Sequence, residues 1–315
     1  MDWTLLLQWI FNALFYSAIY SSLALALVIV FRSTGMLNFA QGEMATFGGF
    51  VGFVLLSGPT QRLKGGGVAG WLPGVPWPVW LAIIGAVVFG MLAGATVERT
   101  LIRPFERAPE MALVNVTIGL LIATNALMTQ WWGSGGLAFP SVFPVGADDY
   151  VGILGARLRY STIGVWAVLI ILMVLLLLMM QKTKIGLAFR AISINRSAAE
   201  LQGVPVGRTL MYGWALAGGM GALAAGLSAN STLLHSNMML RVLVFAFAAA
   251  TLGGLDSPKG AVVGGIIIGL SQTLVPAYVP FIGFELSVLP ALVVMVLVLL
   301  VRPAGLFGTE RVERV

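Results

Sequence analysis

The chain has no cysteine and only one histidine, His235. The first absence excludes disulfides, thiolate metal sites and a cysteine nucleophile. The second leaves no His-based zinc or haem site to build, so no metal is expected. Charge is scarce too: 18 Lys and Arg with 12 Asp and Glu make 10% of 315 residues, against about 25% in an ordinary soluble protein. So few charges cannot wet the surface of a soluble fold this long. With 59% hydrophobic residues and a mean hydropathy of +0.97, the solvent for most of the chain is lipid. That excludes a soluble enzyme. It also changes the meaning of the net charge of +6, which in a soluble chain would suggest nucleic acid. No Gly-Lys dipeptide occurs, hence no Walker-type phosphate loop; no cofactor is expected on this chain, and any ATP-driven work must use another chain's nucleotide site. The start Met1-Asp2-Trp3 lacks a basic n-region and reads as a retained first membrane helix rather than a cleaved signal.

What is present is apolar runs. A bilayer core needs about 20 apolar residues per helix. Residues 3–31, 65–97, 111–147, 160–181, 209–240 and 260–284 carry no formal charge, with shorter such runs at 44–61, 242–255 and 286–301. They predict spans near 6–30, 36–57, 78–98, 111–131, 161–181, 210–230, 240–254, 261–277 and 286–302. The fold class is all-α: one polytopic transmembrane bundle over 1–315 of about nine helices, within a range of eight to ten. Arg32, Arg99, Arg103, Arg107, Lys182, Lys184, Arg190, Arg196, Arg208, Lys259, Arg302, Arg311 and Arg314 fall on one side of these spans, while only Arg62, Lys64, Arg157, Arg159 and Arg241 fall on the other. The positive-inside bias makes the first side cytoplasmic. The N-terminus is then outside and the C-terminus inside, with 58–77 and 132–160 on the far face. The Trp residues of those two segments read as headgroup anchors or as a docking surface for an external partner.

Glycine is abundant, 39 residues, and lets helix backbones approach in lipid. Two Gly-interrupted stretches stand out, 34–43 and 251–260. Setting Gly35 against Gly253 also matches Asn38 with Asp256 and Gly42 with Gly260, a pattern expected of an inverted internal repeat around a central pathway. The first span carries Gln8, Asn12, Tyr16 and Tyr20 on one helical stripe, for interhelical bonding or for lining a pathway. Glu43 is followed by 18 uncharged residues, 44–61. It is either a functional carboxylate at membrane depth or an interfacial one favoured by a helix start. Asn12, Tyr16, Asn38, Gln41 and Glu43 are the candidate substrate-pathway residues. Residues 182–208 hold a short helix former, Ser197–Leu201, capped by Asn195 or Ser197 and stopped by Gly203 with Pro205. Such a loop either connects two spans or transmits force to a soluble partner.

The run Thr34-Gly35-Met36-Leu37-Asn38-Phe39-Ala40-Gln41-Gly42-Glu43 resembles the Gly-Met-[Ile/Leu]-Asn-Phe-Ala-x-Gly-Glu signature of ABC importer permeases for branched-chain amino acids, the LivH type. The pattern Gly186-x-Ala188-x-Arg190-Ala191…Asn195…Ala198-Ala199-x-Leu201-x-Gly203-Val204 is similar to that family's coupling loop. Asn12, Tyr20 and Gly260-Ala261-x-x-Gly264-Gly265 match as well, and the likeness runs over nearly the whole chain. Gln41 stands where members often have His, and the stretch around Arg62–Pro78 is longer than expected; both bear on the substrate.

The resemblance implies a non-enzymatic transport subunit of the bacterial inner membrane. Its partners would be a LivM-like second permease, two cytoplasmic subunits using ATP and Mg, and a periplasmic substrate-binding protein. It assigns ATPase coupling to Asn195, Ala198, Ala199, Glu200, Leu201 and Gly203. The cargo would be branched-chain or related small amino acids. Alternatives are urea, amides or small carboxylates in the same family, or an ion-coupled secondary carrier using Glu43. A membrane-embedded enzyme finds no nucleophile or metal constellation here.

Overall fold

A computed structural model describes residues 3–57, 78–105, 108–279, 281–283 and 285–308. Among them are eleven α-helices: α1 (Trp3–Thr34), α2 (Gln41–Ser57), α3 (Val79–Val97), α4 (Glu110–Trp132), α5 (Tyr160–Lys182), α6 (Lys184–Ile194), α7 (Arg196–Leu201), α8 (Val206–Thr232), α9 (Met238–Gly253), α10 (Pro258–Tyr278) and α11 (Val288–Val301). The chain is a membrane helix bundle. Each of the nine sequence-derived spans falls on one helix, but nine crossings are not thereby established. Six helices are long and apolar enough to cross a membrane: α1, α3, α4, α5, α8 and α10. α2, α9 and α11 are 17, 16 and 14 residues long, short of the usual span.

Two local features lie in the connections between the spans. A hairpin pairs β1 (Tyr150–Ile153) with β2 (Ala156–Arg159), with Tyr150 opposite Arg159. The stretch 182–208 holds two helices rather than one, because Thr183 caps α6 by accepting from the Gly186 N–H at 3.2 Å. The expected insertion 58–77 lies outside the described residues.

The chain divides into two compact units. One comprises Met1–Val28, Phe143–Val174 and Val242–Val315, the other Ile29–Val142 and Leu175–Arg241. In the first, α10 lies against α1 along small residues: a methyl at Gly265 would overlap Ser21, and one at Gly269 would overlap Ser17. The Ser21 hydroxyl also donates to the Val262 carbonyl at 3.2 Å. In the second, α3 and α8 touch backbone to backbone, Gly90 facing the Gly218 carbonyl and Gly94 the Trp214 carbonyl, while Gly48 of α2 meets Ala222. Lipid supplies no hydrophobic drive between helices, so close small-residue contact is what holds them. The exposed sides of α3, α4 and α5 carry Ile84, Leu92, Ile122, Ile170, Ile171 and Leu175, a composition suited to lipid.

Both Gly-interrupted stretches are helix breaks. Gly35 (φ 76°) ends α1 and Gly254 (φ 105°) ends α9, each in the left-handed region that favours glycine at a helix C-terminus. The residue matching of the expected repeat therefore shifts: the left-handed counterpart of Gly35 is Gly254, not Gly253. The linkers also differ in length, Gly35 to Gln41 against Gly254 to Pro258. The carbonyls of Leu252 and Gly253 accept from the N–H groups of Leu306 and Phe307 at 2.8 and 3.0 Å. The C-terminal segment thus satisfies groups that a helix end leaves open.

Candidate functional site

The first break is built from its own polar residues. The Asn38 side-chain oxygen accepts from the Ala40 N–H at 3.0 Å, and its amide donates to Gln41 Oε1 at 3.0 Å. Gln41 Nε2 donates to the Ala217 carbonyl of α8 at 2.8 Å. Both side chains are fully buried. Asn38 and Gln41, expected on the pathway, form a clip that stops the chain short of a continuous helix, so α2 begins at Gln41 rather than at residue 36.

Glu43 lies in the first turn of α2. It is 1% exposed, and neither carboxylate oxygen accepts a hydrogen bond from a described residue. Asn125 of α4 is the polar side chain that acts on it, without reaching hydrogen-bonding geometry. The Asn125 amide is turned instead to Asn237 Oδ1 at 2.7 Å and the Ser236 carbonyl at 3.4 Å. One turn beyond Glu43 on the same face of α2 comes Phe47, whose ring centroid is 5.9 Å from Trp132, 6.0 Å from Trp131 and 5.5 Å from Phe89. Phe50 stacks on Trp132 at 4.7 Å. Trp132, expected at the headgroup level, is buried, and its indole N–H has no partner among the described residues. Asn125 and Asn237 were missed from sequence. The available signal was an Asn in the middle of an apolar span, which must find a partner in lipid.

Asn12 and Tyr16 belong to the other unit. Asn12 Oδ1 accepts from Gln8 Nε2 at 3.3 Å, and Gln8 Oε1 accepts from the Arg157 N–H at 2.9 Å, so this end of the stripe anchors the hairpin. Tyr16 stacks on Tyr20 at 6.3 Å, and the Tyr20 hydroxyl donates to Gln272 Oε1 at 2.6 Å. Gln8, Asn12 and Tyr20 of the stripe are thus hydrogen-bonded, while Tyr16 contacts the rings of Phe15 and Tyr20.

Between α5 and α8, Asn195 closes α6 and caps α7, its side-chain oxygen accepting from the Ala198 N–H at 2.9 Å. Gly203 (φ 80°) ends α7, and the Val204 N–H closes back on the Ala199 carbonyl at 3.0 Å. Ala199 sits in a small core with Ile192, Val206 and Leu210. α6 has two apolar faces. Gly186, Phe189 and Ile192 point inward, whereas Leu187 and Ile194 point out, as does Leu201 of α7, with Ile194 at 87% and Leu201 at 90% exposed. Glu200 is exposed beside them. The Ser193 hydroxyl donates to the Arg32 carbonyl at 3.1 Å, fixing α6 to the end of α1. Leu187 and Ile194 escaped the sequence reading because a segment apolar on two faces shows no clean one-sided period.

Residues 9–301 match the family described as branched-chain amino acid transport system / permease component. The chain is 28% identical to the high-affinity branched-chain amino acid transport system permease protein LivH of Escherichia coli K12, over 98% of this chain and 97% of that one. It is 30% identical to a probable LivH permease of Methanocaldococcus jannaschii, with 95% and 91% covered. With the permease BraD of Pseudomonas aeruginosa the identity is 25%, covering 98% of both.

Proposed function

The chain belongs to the branched-chain amino acid transport system permease component family, and from that premise we propose that it is the membrane-spanning subunit of an ABC importer whose cargo is branched-chain or related small amino acids. It is a multi-pass protein of the inner membrane. In this proposal it works beside a second, LivM-like permease, with two cytoplasmic subunits that bind and hydrolyse ATP with Mg and a binding protein that delivers cargo from the other side. The bias of Lys and Arg supports an outside N-terminus and a cytoplasmic C-terminus, with α6 and α7 inside.

The observation that carries the mechanism is the two-faced α6–α7 unit. Its inner face packs on α8 through Ala199, Val206 and Leu210, while Leu187, Ile194 and Leu201 are exposed on helices too short to span a bilayer. Exposed apolar side chains of this kind mark a protein interface. Seated in a groove of an ATPase, the unit passes nucleotide-driven closure to α8 and, through Ser193, to the end of α1.

Leu201→Arg tests this cleanly, because Leu201 is exposed. Binding-protein-stimulated ATP hydrolysis of the reconstituted complex should fall at least about tenfold, while the permease still inserts and binds its sister subunit. Unchanged stimulation would remove α7 from the coupling path. Ala199, buried, is the wrong position for that test: a large side chain there breaks the local core and reports on folding.

A further inference from the structure

The unpartnered Glu43 carboxylate lies one helical turn from a wall of aromatic rings. We infer that the α2–α4 contact holds the cargo during passage, with Glu43 receiving its ammonium group and Phe47, Phe50 and Trp132 receiving its aliphatic body. This rests on the amino acid importer reading above and names the group of the cargo that the protein recognises.

A carboxylate 1% exposed at membrane depth is costly without a counter-charge, and Glu43 finds no hydrogen-bond donor among the described residues. The cation it suits is set by its neighbours. A hard inorganic cation wants six or so oxygen ligands, and Phe47, Phe50, Trp131 and Trp132 supply none. An organic ammonium wants one carboxylate and aromatic faces for the carbon next to it. Phe47 is four residues from Glu43, about 6 Å along the axis, close to the length of a leucine side chain. Phe50 and Trp132, stacked at 4.7 Å, close the far end with apolar surface. Asn125, held by Asn237 at 2.7 Å, leaves the carboxylate free for the cargo.

The test is ATP-driven uptake by the complete complex in proteoliposomes, with binding protein and leucine. Glu43→Gln should lower leucine uptake at least about tenfold in a complex that still assembles, and Glu43→Asp should restore part of the uptake. Wild-type uptake by Glu43→Gln overturns the inference. Should Glu43→Gln fail to assemble, Phe47→Ala takes its place: the maximal rate for leucine should fall several-fold relative to valine, and an unchanged ratio overturns the inference. A wild-type complex that moves urea or acetamide but no amino acid overturns the importer reading itself, whatever Glu43 does.

Discussion

Two glutamates of the same unit are buried to the same degree and treated in opposite ways. Glu98 is 0% exposed at the end of α3, in a π-helical turn spanning Glu98–Ile102. Arg103 reaches it with two donors, Nε to Oε1 at 3.1 Å and Nη2 to Oε2 at 2.7 Å, and Nη2 also donates to the Gly207 carbonyl at 2.8 Å. Glu43 has none of this. The π turn is the device that makes the difference. In an α-helix, residues five apart point to different sides, but the wider turn brings i and i+5 into line, as the Arg103 N–H bond to the Glu98 carbonyl shows. A carboxylate with its own counter-ion ties α3 to the first turn of α8. A carboxylate without one is left for something that arrives and departs.

The comparison breaks most visibly at Arg103. Arg103→Met leaves Glu98 buried and unpaired, which typically costs 3–5 kcal/mol. Because the Arg103 side chain is 37% exposed, water moderates the loss, so about 3 kcal/mol is expected, read as a lower midpoint in SDS titration of the purified protein. Adding Glu98→Gln to that variant should recover most of the loss, since a removed pair costs far less than a broken one. At Glu43 the sign reverses: Glu43→Gln removes an uncompensated charge and should raise stability by about 1–2 kcal/mol, while uptake falls. A destabilised Glu43→Gln would mean that the carboxylate is bonded in the folded protein, and the contrast between the two residues would collapse.

The sequence showed the solvent, the nine helical segments and the first break, because apolar runs and helix-ending glycines are local signals. It also singled out Glu43 and the Asn195 cap. What it hid depends on neighbours. Nothing local to Gln41 announces its bond to the Ala217 carbonyl at 2.8 Å, 176 residues along the chain. Ala199 looks like surface until α7 folds onto Ile192 and Leu210. The Glu98–Arg103 pair was illegible because a spacing of five is not a contact spacing in a regular helix. The left-handed φ falls on Gly254 rather than Gly253, beside carbonyls that the distant C-terminal segment bonds, and no local pattern announces either.

The smallest effect sharpens the contrast furthest. Asn237→Ala removes the acceptor that turns Asn125 away from Glu43. The lost hydrogen bond is exposed at Asn237, and its removal alone is worth about 0.5–1 kcal/mol. The freed Asn125 amide then has Glu43 as its nearest anionic acceptor, and a bond to a charged group is worth about 1.5–3 kcal/mol. The gain exceeds the loss, so Asn237→Ala should be stabilising by about 0.5–2 kcal/mol in the wild-type background and closer to neutral in Glu43→Gln, where the acceptor is only an amide. A double-mutant cycle over Glu43 and Asn237 should therefore return a coupling of about 1 kcal/mol. Strict additivity would show that Asn125 does not turn, and that the open carboxylate is fixed by the backbone of α2 rather than by the amide pair.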